Sequence, residues 1–292
     1  MTSYIASICE QHNLEYIRHR AVSGGDINAS FAVDTNVGSL FIKLNSAAQY
    51  PLMFTREAEG LSALNQSTKL KLPRVIAAGV YSNKQYLLME WLEKAAPKAD
   101  FWLSFAQGLS ELHHITHNYF GWGSSNYIGS LVQQNDQKET WTEFYTTQRI
   151  MPLVQQLFNK MLLSTADVRA AENVCMRLMD VFPGEPPALL HGDLWAGNFM
   201  AVQSQHNDVL NSMPSVFDPA VYFGHREMDL GMTLLFGGFD AEFYNAYNNI
   251  YPLEKNWRER VSLTQLYPLL VHAILFGGSY VSRCRNILKD WS

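Results

Sequence analysis

A chain of 292 residues, 47% of them apolar, has the length for one or two domains around a real core. Its net charge of −5, with no basic run, gives no reason to expect nucleic acid or an anionic membrane as a partner. Three cysteines, Cys9, Cys175 and Cys284, are odd in number, far apart and without a CxxC pair, which argues against a disulfide framework or zinc site and for thiols in a reducing, cytoplasmic compartment.

No basic segment followed by a long apolar stretch opens the chain at Met1, so no secretory signal is expected. Ser30 to Thr35 and Leu40 to Leu44 alternate apolar and polar residues, which predicts two strands joined by a turn at Asn36-Val37-Gly38. Phe54, Ala58, Leu61 and Leu64 then recur at helical spacing. Val75 to Tyr81 and Gln85 to Trp91 predict two more strands, parted by Ser82-Asn83-Lys84. The natural assembly is a five-stranded antiparallel sheet with one helix. Past Glu93 the pattern changes: Ala95 to Asp100 reads as a linker opening a helix lined by Trp102, Phe105, Leu109 and Leu112. Helical patterns cover Trp141 to Phe158, Thr165 to Phe182 and most of the chain after Arg226, while Gln203 to Pro214 reads as a polar, exposed loop. The most apolar stretch, Leu266 to Phe276, is too short and too polar to span a bilayer. The expected architecture is α+β and bilobal, with a small β-rich lobe at 1–91 and a larger, mainly helical lobe at 92–292.

The strongest chemical signal is the string His191-Gly192-Asp193-Leu194-Trp195-Ala196-Gly197-Asn198. The spacing from Asp193 to Asn198 matches the HRDxxxxN catalytic loop of protein kinases, with Gly in place of Arg. A carboxylate beside an acceptor hydroxyl orients it and takes its proton; an amide oxygen five residues on can turn back to hold a metal ion. Asp218 follows at the end of the apolar run Ser215-Val216-Phe217, where a Mg²⁺ ligand is needed, and with Asn198 supplies the one or two protein groups that Mg²⁺ commonly takes. Lys43 sits in a strand on the face opposite Leu40, Ile42 and Leu44, placed to hold the α- and β-phosphates of ATP. Its carboxylate partner is Glu57 or Glu59; Glu57 shares the packed stripe of Phe54, Ala58 and Leu61, where an ion pair relieves its burial, so Glu57 is chosen. Gly24 and Gly25, ahead of a strand, can let backbone N–H groups approach phosphates, but the segment is neither GxGxxG nor a Walker A sequence. Trp195 offers a flat apolar ring to a sugar face, or anchors the loop. His113 and His117 share a helical face without a third ligand, so metal binding is not expected there.

With these residues in view the chain resembles the fructosamine kinase family (fructosamine and ribulosamine 3-kinase-related proteins), which shares a protein-kinase-like fold with aminoglycoside and choline kinases. The resemblance rests on Gly24 to Asn28, Glu57 to Leu61, His191 to Asn198, Phe217 to Ala220 and Tyr222 to Leu230, and extends from about residue 20 to the carboxyl end. It implies ATP and Mg²⁺, a ketosamine acceptor (a sugar joined to an amine, free or on a glycated protein) phosphorylated at its 3-hydroxyl, and deglycation repair. It further implies Asp193 as catalytic base, Asn198 and Asp218 as metal ligands, Lys43 with Glu57 on phosphates, and Met89, Glu90, Trp91 and Leu92 as the hinge offering backbone groups to adenine. Trp195 and Asp229 would face the sugar; His225, Arg226 and Glu227 receive no role. Two departures stand out: Asp26 where several members carry Cys, and Val271 in place of an Asn that would bear on the acceptor. The competing readings are a kinase for another small alcohol, such as an aminoglycoside or choline, and a non-catalytic nucleotide-binding protein. None of Lys43, Glu57, Asp193, Asn198 or Asp218 is missing, which argues against the latter.

Overall fold

The computed structural model describes residues 1–22, 27–206 and 209–292, with side chains left undescribed at 205–211. Helix α1 (Thr2–Gln11) precedes strands β1 (Tyr16–Ala21), β2 (Ala29–Thr35) and β3 (Gly38–Ser46), then helix α2 (Met53–Leu64) and strands β4 (Val75–Tyr81) and β5 (Lys84–Glu90). The five strands form one antiparallel sheet in the order β1-β2-β3-β5-β4. The two-residue pleat divides their side chains between two layers. Leu40, Ile42 and Leu44 of β3, with Tyr86 and Leu88 of β5, meet Ile5, Ile8 and Cys9 of α1. Leu87 and Met89 turn the other way, into a core with Phe54, Leu61 and Leu64 of α2. The sheet therefore has a helix on each face, where periodicity predicts only α2. The helix over the second face is α1, short and opening the chain, whose apolar stripe is only three buried residues long.

The remainder contains α3 (Phe101–His113), a hairpin of β6 (Asn126–Ile128) and β7 (Leu131–Gln133), and α4 (Trp141–Phe144), a π-helical turn over Tyr145–Ile150 and α5 (Met151–Asn159) in one run. Then come α6 (Thr165–Val181), β8 (Ala188–Leu190), β9 (Phe199–His206), β10 (Val209–Val216), β11 (Tyr222–Gly224), α7 (Glu227–Leu235), α8 (Ala241–Ile250), α9 (Trp257–Phe276) and α10 (Ser279–Trp291). Helix α6 opens on a capping box between Ser164 and Asp167. The stretch expected as a loop at 203–214 belongs instead to the antiparallel β9–β10 hairpin, which places Pro214 opposite Ala201. Gln203 N–H donates to Glu93 O, Ala95 N–H to Ala201 O, and Lys71 N–H to Pro214 O, tying the hairpin to the segments on either side of the sheet's last two strands. Among the described residues no helix is long and apolar enough to cross a membrane. The Leu266 to Phe276 stretch lies in α9, where Leu266, Leu269, Leu270 and Ala273 are fully buried.

Candidate active site

Lys43 leaves β3 on the α2 side of the sheet and is buried. Its Nζ donates to Glu57 Oε1 at 2.6 Å and to Asp218 Oδ1. Burial alone would lower the lysine pKa, but the charges of Asp218 and Glu57 outweigh it and hold the group cationic, above its ordinary value. Glu59, one residue off the packed stripe of α2, pairs with Arg56 at the surface. Lys43 thus joins the sheet, α2 and the segment after β10 in one contact.

The catalytic-loop string turns on Gly192, whose φ is +82°. A Cβ there would stand 2.0 Å from the Ala220 carbonyl oxygen. Only glycine fits, because the loop and the Asp218-Pro219-Ala220 segment are pinned back to back by the Ala220 N–H donating to His191 O. His191 is buried and stays neutral, its pKa lowered by burial. Its Nε2–H donates to Phe217 O at 3.0 Å, and its Nδ1 accepts the Asp193 N–H at 3.3 Å. Asn198 Nδ2 donates to the Asp193 backbone carbonyl at 2.8 Å and to its Oδ2 at 3.0 Å, which holds the carboxylate in place and leaves the Asn198 Oδ1 lone pairs for another partner. Asp218, with φ +56°, occupies a left-handed conformation that turns its carboxylate back toward Lys43. Burial, then repulsion from Asp218, pushes the Asp193 carboxyl up to about 7 against the Asn198 hydrogen bond.

These groups line one cavity of about 230 Å³, whose walls include Lys43, Glu57, Asp193, Trp195, Asn198 and Asp218. Asn126 on β6 and Tyr127 to Gly129 close another side. The donor set suits Mg²⁺: a carboxylate and an amide oxygen, beside a second carboxyl that the first repels. Among the described residues, no cluster of three or more His, Cys, Asp or Glu is placed to hold a metal by protein groups alone.

Asp229 requires a correction. It does not face the sugar side: its carboxylate is buried, accepting the N–H groups of His191 at 2.8 Å and Gly192 at 2.9 Å and the Nε2–H of His113 at 3.3 Å. Burial would raise its pKa, but the His113 hydrogen bond and the Gly192 N–H outweigh it and hold it below the ordinary carboxylate value. Its place on α7 makes it the brace beneath the catalytic loop. The residues left without a role are braces too. Arg226 forks onto Glu185 at 2.8–2.9 Å and caps the Tyr251 and Pro252 carbonyls, and Glu227 pairs with Arg260 at 2.5–2.8 Å. His225 is buried.

Sequence reasoning also missed a buried polar network under the cavity. Arg149 Nη2 donates to Asn135 Oδ1 at 2.6 Å, Asn135 and Gln133 donate to Asn126 Oδ1, and Asn126 and Gln133 reach the Val221 and Ala220 carbonyls. The segment following Asp218 is held by amides that come from a different hairpin. The signal available was Arg149 itself, a charge in the apolar pattern of Trp141 to Phe158; its guanidinium lies 4.2 Å from the Tyr222 ring centroid. Val271 is buried in the core, so the departure at that position is one of packing.

Met89, Glu90, Trp91 and Leu92 are not among the described residues that line this cavity. Met89 pairs with Phe41 and Val75 inside the sheet, and its side chain is buried. The Glu90 carboxylate takes the Lys71 ammonium at 2.8–3.0 Å, and its N–H donates to Arg74 O. Trp91 donates to Glu93 and carries the Arg20 guanidinium over its ring. Gly24, Gly25 and Asp26 lie outside the described residues.

The sequence model of the family described as fructosamine kinase matches residues 1–291. This chain belongs to the fructosamine kinase family. A Synechocystis protein named as a probable ketoamine kinase is 36% identical over 272 residues, covering 93% of this chain and 89% of that protein. A solved structure named as a fructosamine-3-kinase from Thermobifida fusca superposes with a TM-score of 0.86 at 33% identity, over 99% of this chain and 98% of the other. An aminoglycoside phosphotransferase variant, solved in ternary complex with ADP and hygromycin B, shares the protein-kinase-like fold at a TM-score of 0.63 and 16% identity, over 99% and 98% of the two chains.

Proposed function

We propose that this fructosamine kinase family member transfers the γ-phosphoryl group of ATP to the 3-hydroxyl of a ketosamine, a ribulosamine or fructosamine, in the repair of glycated amines. The observation that carries the reading is the convergence of Lys43, Asp193, Asn198 and Asp218 on one cavity. In it, Asp193 receives the proton of the acceptor hydroxyl as the new O–P bond forms and the bond to the β–γ bridging oxygen breaks. Lys43, oriented by Glu57, holds the phosphates; Asp218 and the Asn198 amide oxygen hold Mg²⁺, which when bound neutralises phosphate charge. Gly24 and Gly25 are assigned to the phosphate side. Adenine recognition is assigned to backbone groups of the hinge at Met89, Glu90, Trp91 and Leu92, at the end of β5. Trp195, on the cavity wall, faces the sugar. We set the boundary between the nucleotide and acceptor lobes at residues 91 and 92, and the protein in the cytoplasm, where its free cysteines stay thiols.

The test is phosphate transfer from ATP and Mg²⁺ to ribulosyl-lysine, fructosyl-lysine, kanamycin and choline. Transfer to a ketosamine alone supports the reading; transfer only to kanamycin or choline rejects its acceptor while keeping its mechanism. The Lys43 assignment has its own check. Glu57→Gln leaves Lys43 drawn onto Asp218 alone, and kcat/KM for ATP is expected to fall roughly ten- to a hundredfold. Steady-state rates at varied ATP measure this, and an unchanged kcat/KM removes the pair from nucleotide binding.

A further inference from the structure

The wall of the cavity continues outward as a strip of aromatic rings. Trp195, in the catalytic loop, lies 5.7 Å from Phe236 between centroids, edge to face. Phe236 lies 5.1 Å from His272, and His272 lies 5.6 Å from Phe276 and 5.0 Å from Tyr280. Three separate elements build it: the end of α7, the last turns of α9 and the start of α10. The chain just past Phe236 runs close to the catalytic loop: a Cβ on Gly238 would stand 2.5 Å from the Ala196 Cβ. The inner side of the strip rests on the helical core, against which Trp195 and Tyr280 pack. Its outer side is open: Phe236 is 37% and Phe276 60% exposed. Single exposed aromatics are ordinary, but a connected run that begins inside a reaction cavity is a ligand-sized surface. His272 Nδ1–H donates to the Pro268 carbonyl at 2.7 Å, which leaves its Nε2 as a hydrogen-bond acceptor in the same strip.

We infer that this strip binds the amine side of the acceptor, and that the enzyme prefers ketosamines whose nitrogen carries an apolar or aromatic substituent. The inference rests on the proposed ketosamine reaction. The nitrogen is carried two carbons from the 3-hydroxyl, so with that hydroxyl at Asp193 its substituent lies at the cavity wall that Trp195 shares, where the strip begins. The ketosamine nitrogen is a protonated amine. Aromatic faces attract such a cation, and they pack against the hydrocarbon or ring attached to it. The continuity of the strip with the cavity wall selects this occupant over a separate macromolecule.

The experiment compares two fructosamines, the adducts of methylamine and of benzylamine, as acceptors for the wild-type enzyme and for Phe236→Ala and Phe276→Ala. The wild type is expected to favour the benzylamine adduct in kcat/KM, and each variant to lower that preference roughly fivefold, chiefly through KM. Tyr119→Ala, which removes a side chain 42% exposed and outside the strip, is the control and leaves the preference intact. A preference unchanged in both strip variants, or absent in the wild type, overturns the inference while the ketosamine reaction stands. A wild type that phosphorylates neither adduct, yet accepts kanamycin or choline, overturns the reaction and the inference with it.

Discussion

Replacing Asp193 by Asn is expected to lower kcat by about three orders of magnitude while the protein stays folded and continues to bind ATP. The substitution is isosteric, so the loop keeps its scaffold: His191 still donates to Phe217 O, Gly192 N–H still reaches Asp229, and Asn198 still reaches the residue 193 carbonyl. What disappears is the proton acceptor, together with a carboxyl whose ionised form is disfavoured by burial and by repulsion from Asp218. Relief of that repulsion predicts a melting temperature equal to or above that of the wild type, which separates a catalytic defect from a folding one. Rapid-quench measurement of phosphate transfer, alongside nucleotide binding by calorimetry, checks both halves. Near-normal turnover would remove Asp193 from the chemistry.

The residues that such an experiment leaves untouched show how much of the site is legible in the amino-acid sequence. The pairing of Lys43 with Glu57 is legible because it follows from two periods: alternation along β3 puts Lys43 on the α2 face, and helical spacing turns Glu57, not Glu59, toward it. Four strands and most helices are legible for the same reason. The β9–β10 hairpin is not, since its strands carry Gln, Ser, Asn and Pro; what makes them strands is pairing to each other and to Lys71, Glu93 and Ala95, and a polar pattern does not announce its partners. Asp229 is legible as important and misleading as to role. A carboxylate in a run such as Glu227-Met228-Asp229 looks like a ligand-facing group, because the cost of burying it is visible in sequence and the compensation is not. That compensation is two backbone N–H groups from a loop 37 and 38 residues earlier and an imidazole 116 residues away. His113 itself sits on the apolar face of α3 beside Leu109 and Leu112, and a polar group on a buried face is the one available hint that something has to meet it there.

The same division between local pattern and long-range packing makes Gly192→Ala a severe change. Nothing in the string His191-Gly192-Asp193 says which backbone lies behind the glycine. The Ala220 carbonyl oxygen does, at 2.0 Å from the added Cβ, and the carbonyl carbon stands at 2.7 Å. Neither side can yield cheaply. His191 and Gly192 are held by Asp229 from below, and Ala220 is held by its own N–H to His191 O and by the Gln133 amide on its carbonyl. The left-handed φ adds about 1–2 kcal/mol for any residue with a Cβ, and overpacking adds about 1–3 kcal/mol. A loss of roughly 2–5 kcal/mol corresponds to a fall of about 3–8 °C in melting temperature for a chain of this size. Activity is expected to fall at least a hundredfold even where the variant stays folded, because the carbonyl it displaces belongs to the segment that carries Asp218, and a shift of about 1 Å at reacting groups is enough. Gly184→Ala is the matched control: it has open space around its Cβ position and should leave both melting temperature and turnover near wild type. Thermal denaturation and initial rates on the two variants decide the matter, and a Gly192→Ala enzyme with wild-type turnover would mean that the catalytic loop and the Asp218 segment are not packed back to back.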